Sequence, residues 1–237
     1  MVSAVDFENE IIRIINKCAV ISTEAFVKED LSLVTDSDLL VEKELINYIK
    51  CNFPDIRIVS EENPSSHRES YILQNKFAII DPIDGTENFH FTQSNYGSVV
   101  SVVYNDFVYH GIYIPSSKQI VSSLNIMNYK FLNSSMRLLS TSCLEYDQKK
   151  VVGSYQNYRI IGSSSYMFFL IISGRASSYD YCGNAKIWDY YTGISLLLLI
   201  PNLFNIELDG VRRSSVNLHG TQLKHKCPFR VSVRTDS

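Results

Sequence analysis

Apolar positions Phe7, Ile11, Ile14, Ile15, Cys18, Ala19 and Phe26 recur at three- and four-residue intervals near the start of the chain. That spacing lines one face of a helix and predicts an amphipathic helix from about Asp6 to Phe26. After a polar connection the same period returns in Leu39, Leu40, Leu45, Ile46 and Ile49. Thr35-Asp36-Ser37-Asp38 offers caps at its start, and Asn52 and Pro54 end it, so a second helix is predicted there. Ile56 to Val59 alternates as a short strand that runs into the polar turn Ser60 to Pro64, and Lys76 to Ile80 is a further strand with a continuous apolar run. Ser98–Tyr104 and Phe107–Ile114 are rich in β-branched and aromatic residues and are split by Asn105-Asp106, which predicts a hairpin, with more strands to about Ser140. Arg159 to Ser163 reads as a strand-to-helix switch into a buried helix, Tyr166 to Ile172, closed at Gly174. A second buried helix runs from Trp188 to Ile200 and stops at Pro201, and Leu203 to Leu208 forms a last strand. This mixture predicts an α/β fold of layered helices and sheets. A division is offered near Ser140 to Gln148, but the candidate site below draws on both sides of it, so residues 1–237 are read as one catalytic unit.

Composition narrows the partners. A chain of 237 residues, 45% of them hydrophobic, suffices for one large or two small cores. A net charge of -3, without any Lys/Arg block, argues against nucleic acid and for a small-molecule partner. Five scattered cysteines, Cys18, Cys51, Cys143, Cys182 and Cys227, show no paired metal spacing and read as reduced thiols. His67, His90, His110, His219 and His225 show no metal-ligand spacing either. Asp6, Glu8 and Glu10 precede any apolar stretch long enough for a signal core, and the apolar runs Tyr166–Ile172 and Ile194–Ile200 fall short of the roughly 20 residues that span a bilayer. A cytoplasmic protein without a membrane span is expected.

The candidate chemistry sits where apolar runs end. Asp81-Pro82-Ile83-Asp84-Gly85-Thr86 follows the strand Lys76 to Ile80, Glu61-Glu62 follows the strand Ile56 to Val59, and Asp189 stands beside Trp188 at a helix start. Hard cations such as magnesium take oxygen ligands and retain waters, so a few carboxylates and carbonyls suffice to hold them. Taken one at a time these residues have plainer readings: Asp-Gly is commonly a turn, Glu-Glu a solvated loop, and Asp38 or Asp189 a helix cap. Taken together and in this order they read as a metal site.

The stretch Asp81 to Phe89, DPIDGTENF, resembles the metal-binding signature of the inositol monophosphatase family, magnesium-dependent phosphatases of small phosphate monoesters. Ser60-Glu61-Glu62 is similar to that family's Gly-Glu-Glu turn, Trp188-Asp189 with Gly193 to its Trp-Asp element, and Leu33 to Asp38 with Glu42 to its upstream Val-Thr-x-x-Asp segment. The resemblance implies a layered αβαβα sandwich, metal ligands Glu62, Asp81, the Ile83 carbonyl, Asp84 and Asp189, and catalytic roles for Asp38, Glu62 and Thr86 around an attacking water. It further implies phosphate binding at Gly85 and Thr86, substrate contacts from Asp84, Gly162, Ser163, Ser164 and Asp189, lithium sensitivity and a homodimer. The substrate implied is myo-inositol 1-phosphate or a similar polyol or sugar phosphate. A bisphosphate nucleotidase or fructose bisphosphatase of the same superfamily, or a regulatory binding protein that retains the fold, is the alternative. The chain departs from the family pattern in its last third. Tyr190, Tyr191 and Thr192 replace small residues, Leu199-Ile200-Pro201-Asn202 replaces Glu-Ala-Gly-Gly, and Cys182 stands where inositol phosphatases carry an acid, with Asp180 nearby as a substitute.

Overall fold

The computed structural model describes residues 2–19, 24–29, 31–63, 70–72, 75–130, 134–143, 158–213, 222–224 and 226–234. The proposed division near Ser140 to Gln148 falls largely outside the described residues, as do His67, His219 and His225. Helix α1 (Ala4–Cys18) opens on the Ser3 hydroxyl, which accepts the Asp6 N–H, and buries Phe7, Ile11, Ile14, Ile15 and Cys18. It ends well before Phe26, where the helical period had placed its end. Phe26 belongs instead to β1 (Ala25–Val27), which pairs antiparallel with β2 (Leu33–Thr35). The helical phase of Phe26 is coincidental: its ring is exposed, and the backbone turns back on Leu31 at a φ of 67°. Helix α2 (Asp36–Asn52) starts in a capping box made by Thr35 and Asp38.

Strands β3 (Arg57–Ser60), β5 (Lys76–Asp84), β6 (Gly97–Tyr104), β7 (Phe107–Ile114) and β8 (Gln119–Ser122) form one sheet in that order, while β4 (Ser70–Ile72) pairs separately with β14 (Gln222–Lys224). β5 buries both its faces: Phe77 and Ile79 point into one core, Ala78 and Ile80 into another. That explains its unbroken apolar run. On the second face lie α1 and α2, with Phe7 packed edge-on against Phe53, Phe107 and Tyr109. On the first lie α4 (Ser164–Ile172) and α5 (Ile187–Leu198), which follow the short α3 (Thr86–Thr92) in the chain.

A second sheet closes over α4 and α5. It is built from β9 (Arg137–Leu139), β10 (Tyr158–Arg159), β11 (Ser178–Lys186), β12 (Phe204–Leu208), β13 (Val211–Arg213) and β15 (Lys226–Val233), in the order β10-β9-β11-β15-β12-β13. Its Phe204, Ile206, Phe229 and Val231 share a core with Phe168, Ile171, Tyr191 and Leu197. Helices held between two sheets need apolar residues all round, and α4 and α5 have them. The described residues thus stack as helices, sheet, helices, sheet, four of the five layers expected.

The cysteines depart from expectation. Cys143 and Cys182 are joined in a disulfide with Cα atoms 4.8 Å apart, and only Cys18, Cys51 and Cys227 are free. The pairing is invisible in linear spacing because it arises from β9 and β11 lying side by side.

At Gly193, α5 packs tightly against α4: a Cβ there would lie 2.3 Å from the Phe168 ring. Gly193→Ala should therefore cost about 1–3 kcal/mol through overpacking. Urea unfolding checks this, with a lower midpoint and an unchanged slope as the expected outcome.

Candidate metal centre

Strand parity decides which carboxylates meet. Phe77 and Ile79 face α4 and α5, so Asp81, two residues on, faces the same way, toward the start of α5 and Asp189. The ladder of β5 with β6 then shifts register between Asp81 and Asp84, and this irregularity accommodates Pro82 and swings Asp84 into the same space. β5 therefore continues through Asp84 instead of ending at Ile80 as the residue types suggested. Ser98 Oγ fixes the bend by donating to the Pro82 carbonyl at 2.6 Å. Carboxylate oxygens of Asp81, Asp84 and Asp189 all lie within 4.8 Å of one another.

Asp84 Oδ2 accepts Ser163 Oγ at 2.7 Å and the Ser165 N–H, and Asp189 Oδ2 accepts the Lys186 N–H at 2.7 Å. Asp81 is different: both its carboxylate oxygens are buried and accept no hydrogen bond. Its neighbours are the carboxyl groups of Glu61, Asp84 and Asp189, so burial first and then these like charges push its pKa well up. Burial and the same neighbours raise Asp189 well above the carboxylate range, and burial raises Asp84 against the opposing hydrogen bonds of Ser165 and Ser163. A buried carboxylate without a donor, set among three more, is what a bound divalent cation would satisfy.

The fourth acid is Glu61. Val59 pairs with Ile79 and shares its face, so parity puts Glu61 in phase with Asp81, and the Glu61 N–H continues the ladder to the Ile80 carbonyl at 3.3 Å. Glu62, the residue expected from the motif, binds Lys28 Nζ at 2.7 Å. A strand presents alternate residues to alternate faces, so of this pair it is Glu61 that shares the phase of Asp81. Lys28, from the β1–β2 hairpin, also reaches Glu61 at 3.4 Å. Burial pushes the Glu61 carboxyl up to about 7, opposed by Lys28 and assisted by Glu62, Asp84 and Asp38. Behind it Ser60 Oγ donates to Glu42, which anchors the turn on α2.

Asp38, buried at the start of α2, sits on the flank. Its Oδ2 takes the Thr35 N–H at 2.9 Å and the Thr35 hydroxyl, and its Oδ1 lies 3.1 Å from Thr86 Oγ1. Thr86 Oγ1 is also 3.1 Å from the Ile83 carbonyl. Burial, resisted by the Thr35 hydrogen bonds, lifts Asp38 to about 6. Gly85 caps α3 at a φ of 89°, and a Cβ there would lie 2.8 Å from that of Ser163, so only glycine fits this turn.

Of the expected substrate-side residues, Gly162 turns at a φ of 79°, and Asn88 ties that turn to α3 through the Ile161 carbonyl at 2.7 Å. Ser163 and Ser164 are buried and already bonded, the first to Asp84 and the second to the Tyr179 hydroxyl at 2.9 Å. Asp180 is paired with Arg230 at 2.7 Å, and Cys182 is held in the disulfide. Lys28 and Ser165, which contact Glu61 and Asp84, lie outside the motifs.

Residues 6–142 match the family model described as the inositol monophosphatase family. Inositol-1-monophosphatase of Bacillus subtilis (strain 168) is 30% identical over 190 residues, which are 70% of this chain and 69% of that protein. Human inositol monophosphatase 1 is 44% identical over 59 residues, a quarter of this chain (25%), and the match spans only 21% of the human protein. The 3'(2'),5'-bisphosphate nucleotidase CysQ of Haemophilus influenzae is 24% identical over 182 residues, 69% of this chain and 68% of that protein. In fold, the chain resembles a Staphylococcal inositol monophosphatase-1 solved as a LiCl-soaked inhibitory complex, with a TM-score of 0.71 at 18% identity over 95% of this chain and 86% of that one.

These carboxyl groups hold protons in the folded state that the unfolded chain would release above about pH 4, so without metal they favour folding at low pH and lose that contribution as pH rises through about 6 and 7. The cation-free protein in EDTA should therefore melt at a higher temperature at pH 5.5 than at pH 7.5, and magnesium should narrow the gap. Thermal scans at the two pH values check it, and the reverse order in EDTA would contradict the burial of like charges.

Proposed function

The chain belongs to the inositol monophosphatase family, and on that premise we propose that it hydrolyses a small phosphate monoester, a polyol or sugar phosphate such as myo-inositol 1-phosphate, with magnesium. The observation that carries this reading is the Asp81 carboxylate, buried without a donor and facing Asp84 and Asp189 within one cation's reach. Glu61, Asp81, the Ile83 carbonyl, Asp84 and Asp189 would hold magnesium, with Glu61 taking the place that the motif gave to Glu62. Bound there, the cation supplies neutralisation of phosphate charge and a lower pKa for water.

The protein's own groups do the rest. Thr86 places its hydroxyl between Asp38 and the interior of the site, so a water bonded to it passes a proton toward Asp38, whose orientation Thr35 fixes from behind. The N–H groups of Gly85 and Thr86, at the start of α3, would receive phosphate oxygens. No protein nucleophile is needed, and water attacks directly. Similarity to CysQ keeps a nucleoside bisphosphate as the second candidate substrate. Among the described residues no helix is long and apolar enough to cross a membrane. A cytoplasmic location and a homodimer accompany this reading as proposals.

A screen of polyol, sugar and nucleotide phosphates with magnesium tests the function, and absence of turnover on every ester would overturn it. Asp84→Asn and Thr86→Ala should each lower kcat by about 10²–10⁴ with little loss of stability. Glu61→Gln should raise the magnesium requirement far more than Glu62→Gln, and the opposite ranking would restore Glu62 as the ligand. Lithium chloride should inhibit uncompetitively or noncompetitively at millimolar concentration relative to potassium chloride, because the same hard oxygens suit a small cation; equal rates in the two salts would refute this.

A further inference from the structure

The link between Cys143 and Cys182 lies outside the acidic centre but on the strand that delivers Asp189 to it. β11 loses its regular pairing with β15 between Tyr181 and Ala185, with Cys182 inside that interruption, and α5 with Asp189 in its first turn follows directly. On the other side, Cys143 lies just past β9, whose Leu139 is in register with Asp180. The interrupted segment is pressed onto the turn before Cys143: the Gly183 N–H donates to Ser142 Oγ at 3.1 Å, and a Cβ at Gly183 would lie 2.5 Å from that of Ser142. The Cα separation of 4.8 Å falls in the range of about 4.4–6.8 Å that a disulfide spans without backbone movement.

Both oxidation states fit this geometry. Cys143 Sγ lies 3.3 Å from the Asp180 carbonyl and 3.1 Å from the Cys182 N–H, so a reduced Cys143 thiol keeps an acceptor and a donor without unfolding the turn. Cys143 is buried, whereas Cys182 is partly exposed, so a small thiol or disulfide in solution has access to one sulfur of the pair.

We propose that Cys143 and Cys182 form a reversible thiol–disulfide exchange site, through which low-molecular-weight disulfides and thiols set how firmly β11 holds Asp189 and hence how tightly the centre binds its cation. The Cys182 thiolate attacks one sulfur of a small disulfide such as glutathione disulfide, forming a mixed disulfide and releasing one thiolate. The Cys143 thiolate then attacks the Cys182 sulfur, closing the protein disulfide and releasing the second thiolate. Two protein thiols are oxidised and one small disulfide is reduced to two thiols. The reverse sequence, driven by excess thiol, opens the link.

The test uses the full chain and does not depend on which ester is hydrolysed. Alkylation under denaturing conditions after incubation with glutathione disulfide should label three cysteines, those that are free in the structure, and all five after dithiothreitol. Thermal shift titrated with magnesium should show a half-saturating concentration roughly tenfold higher for the reduced protein, the scale of losing a support behind a ligand. Cys182→Ser and, independently, Cys143→Ser should match the reduced protein in both media, while Cys51→Ser should respond as wild type. Labelling of all five cysteines after oxidant, or superimposable magnesium titrations of oxidised and reduced wild type, would overturn the proposal. Because both readouts are independent of turnover, a protein that hydrolysed no ester would refute the phosphatase reading and leave this one standing.

Discussion

Mutual repulsion among buried carboxylates is the constraint on which the rest of this structure depends. Glu61, Asp81, Asp84 and Asp189 are brought from three separate strand or helix ends into a space where desolvation and like charge both oppose ionisation. Burial and like charge both oppose assembly of the cluster in its ionised form. It is held by apolar packing on every side: the α1 and α2 layer behind the first sheet, and α4 and α5 clamped between two sheets. The apolar layers oppose a strain that a cation would relieve, so a well-packed frame and a destabilised centre are two aspects of one design.

Local hydrogen bonds distribute the remaining tension unevenly. Asp84 and Asp189 each have donors that partly offset their burial, Asp38 is gripped by Thr35, and Glu61 has Lys28 alongside. Asp81 has none of these. The gradation separates a group whose demand only an ion meets from groups that the protein itself already steadies.

Much of this was legible in the chain before any coordinates. The apolar periods of α1, α2, α4 and α5 and the hairpin of β6 and β7 follow directly from side-chain spacing, and the clustering of Asp81 and Asp84 follows from the residue types that end a buried strand. Strand parity favours Glu61 over the Glu62 of the motif: Val59, two residues before Glu61, shares a core with Ile79, two residues before Asp81. β15 was legible too, since Cys227, Phe229 and Val231 alternate with exposed residues, yet Pro228 disguised it. The disulfide and the bond from Ser165 to Asp84 were not readable, because they join residues 39 and 81 positions apart, and the β1–β2 hairpin escaped because strands of three residues are too short to show an alternation.

The family match ends at residue 142, whereas Ser163, Ser165 and Asp189, which complete the centre, lie beyond it. Synthesis runs from the N-terminus, so Glu61, Asp81 and Asp84 are made about a hundred residues before Asp189. Until then the face of the first sheet destined for α4 and α5 is uncovered, with three acids at its rim. Those acids discourage premature burial of that apolar face, so the feature that taxes the finished fold also acts as a gatekeeper against aggregation while the polypeptide is still unfinished.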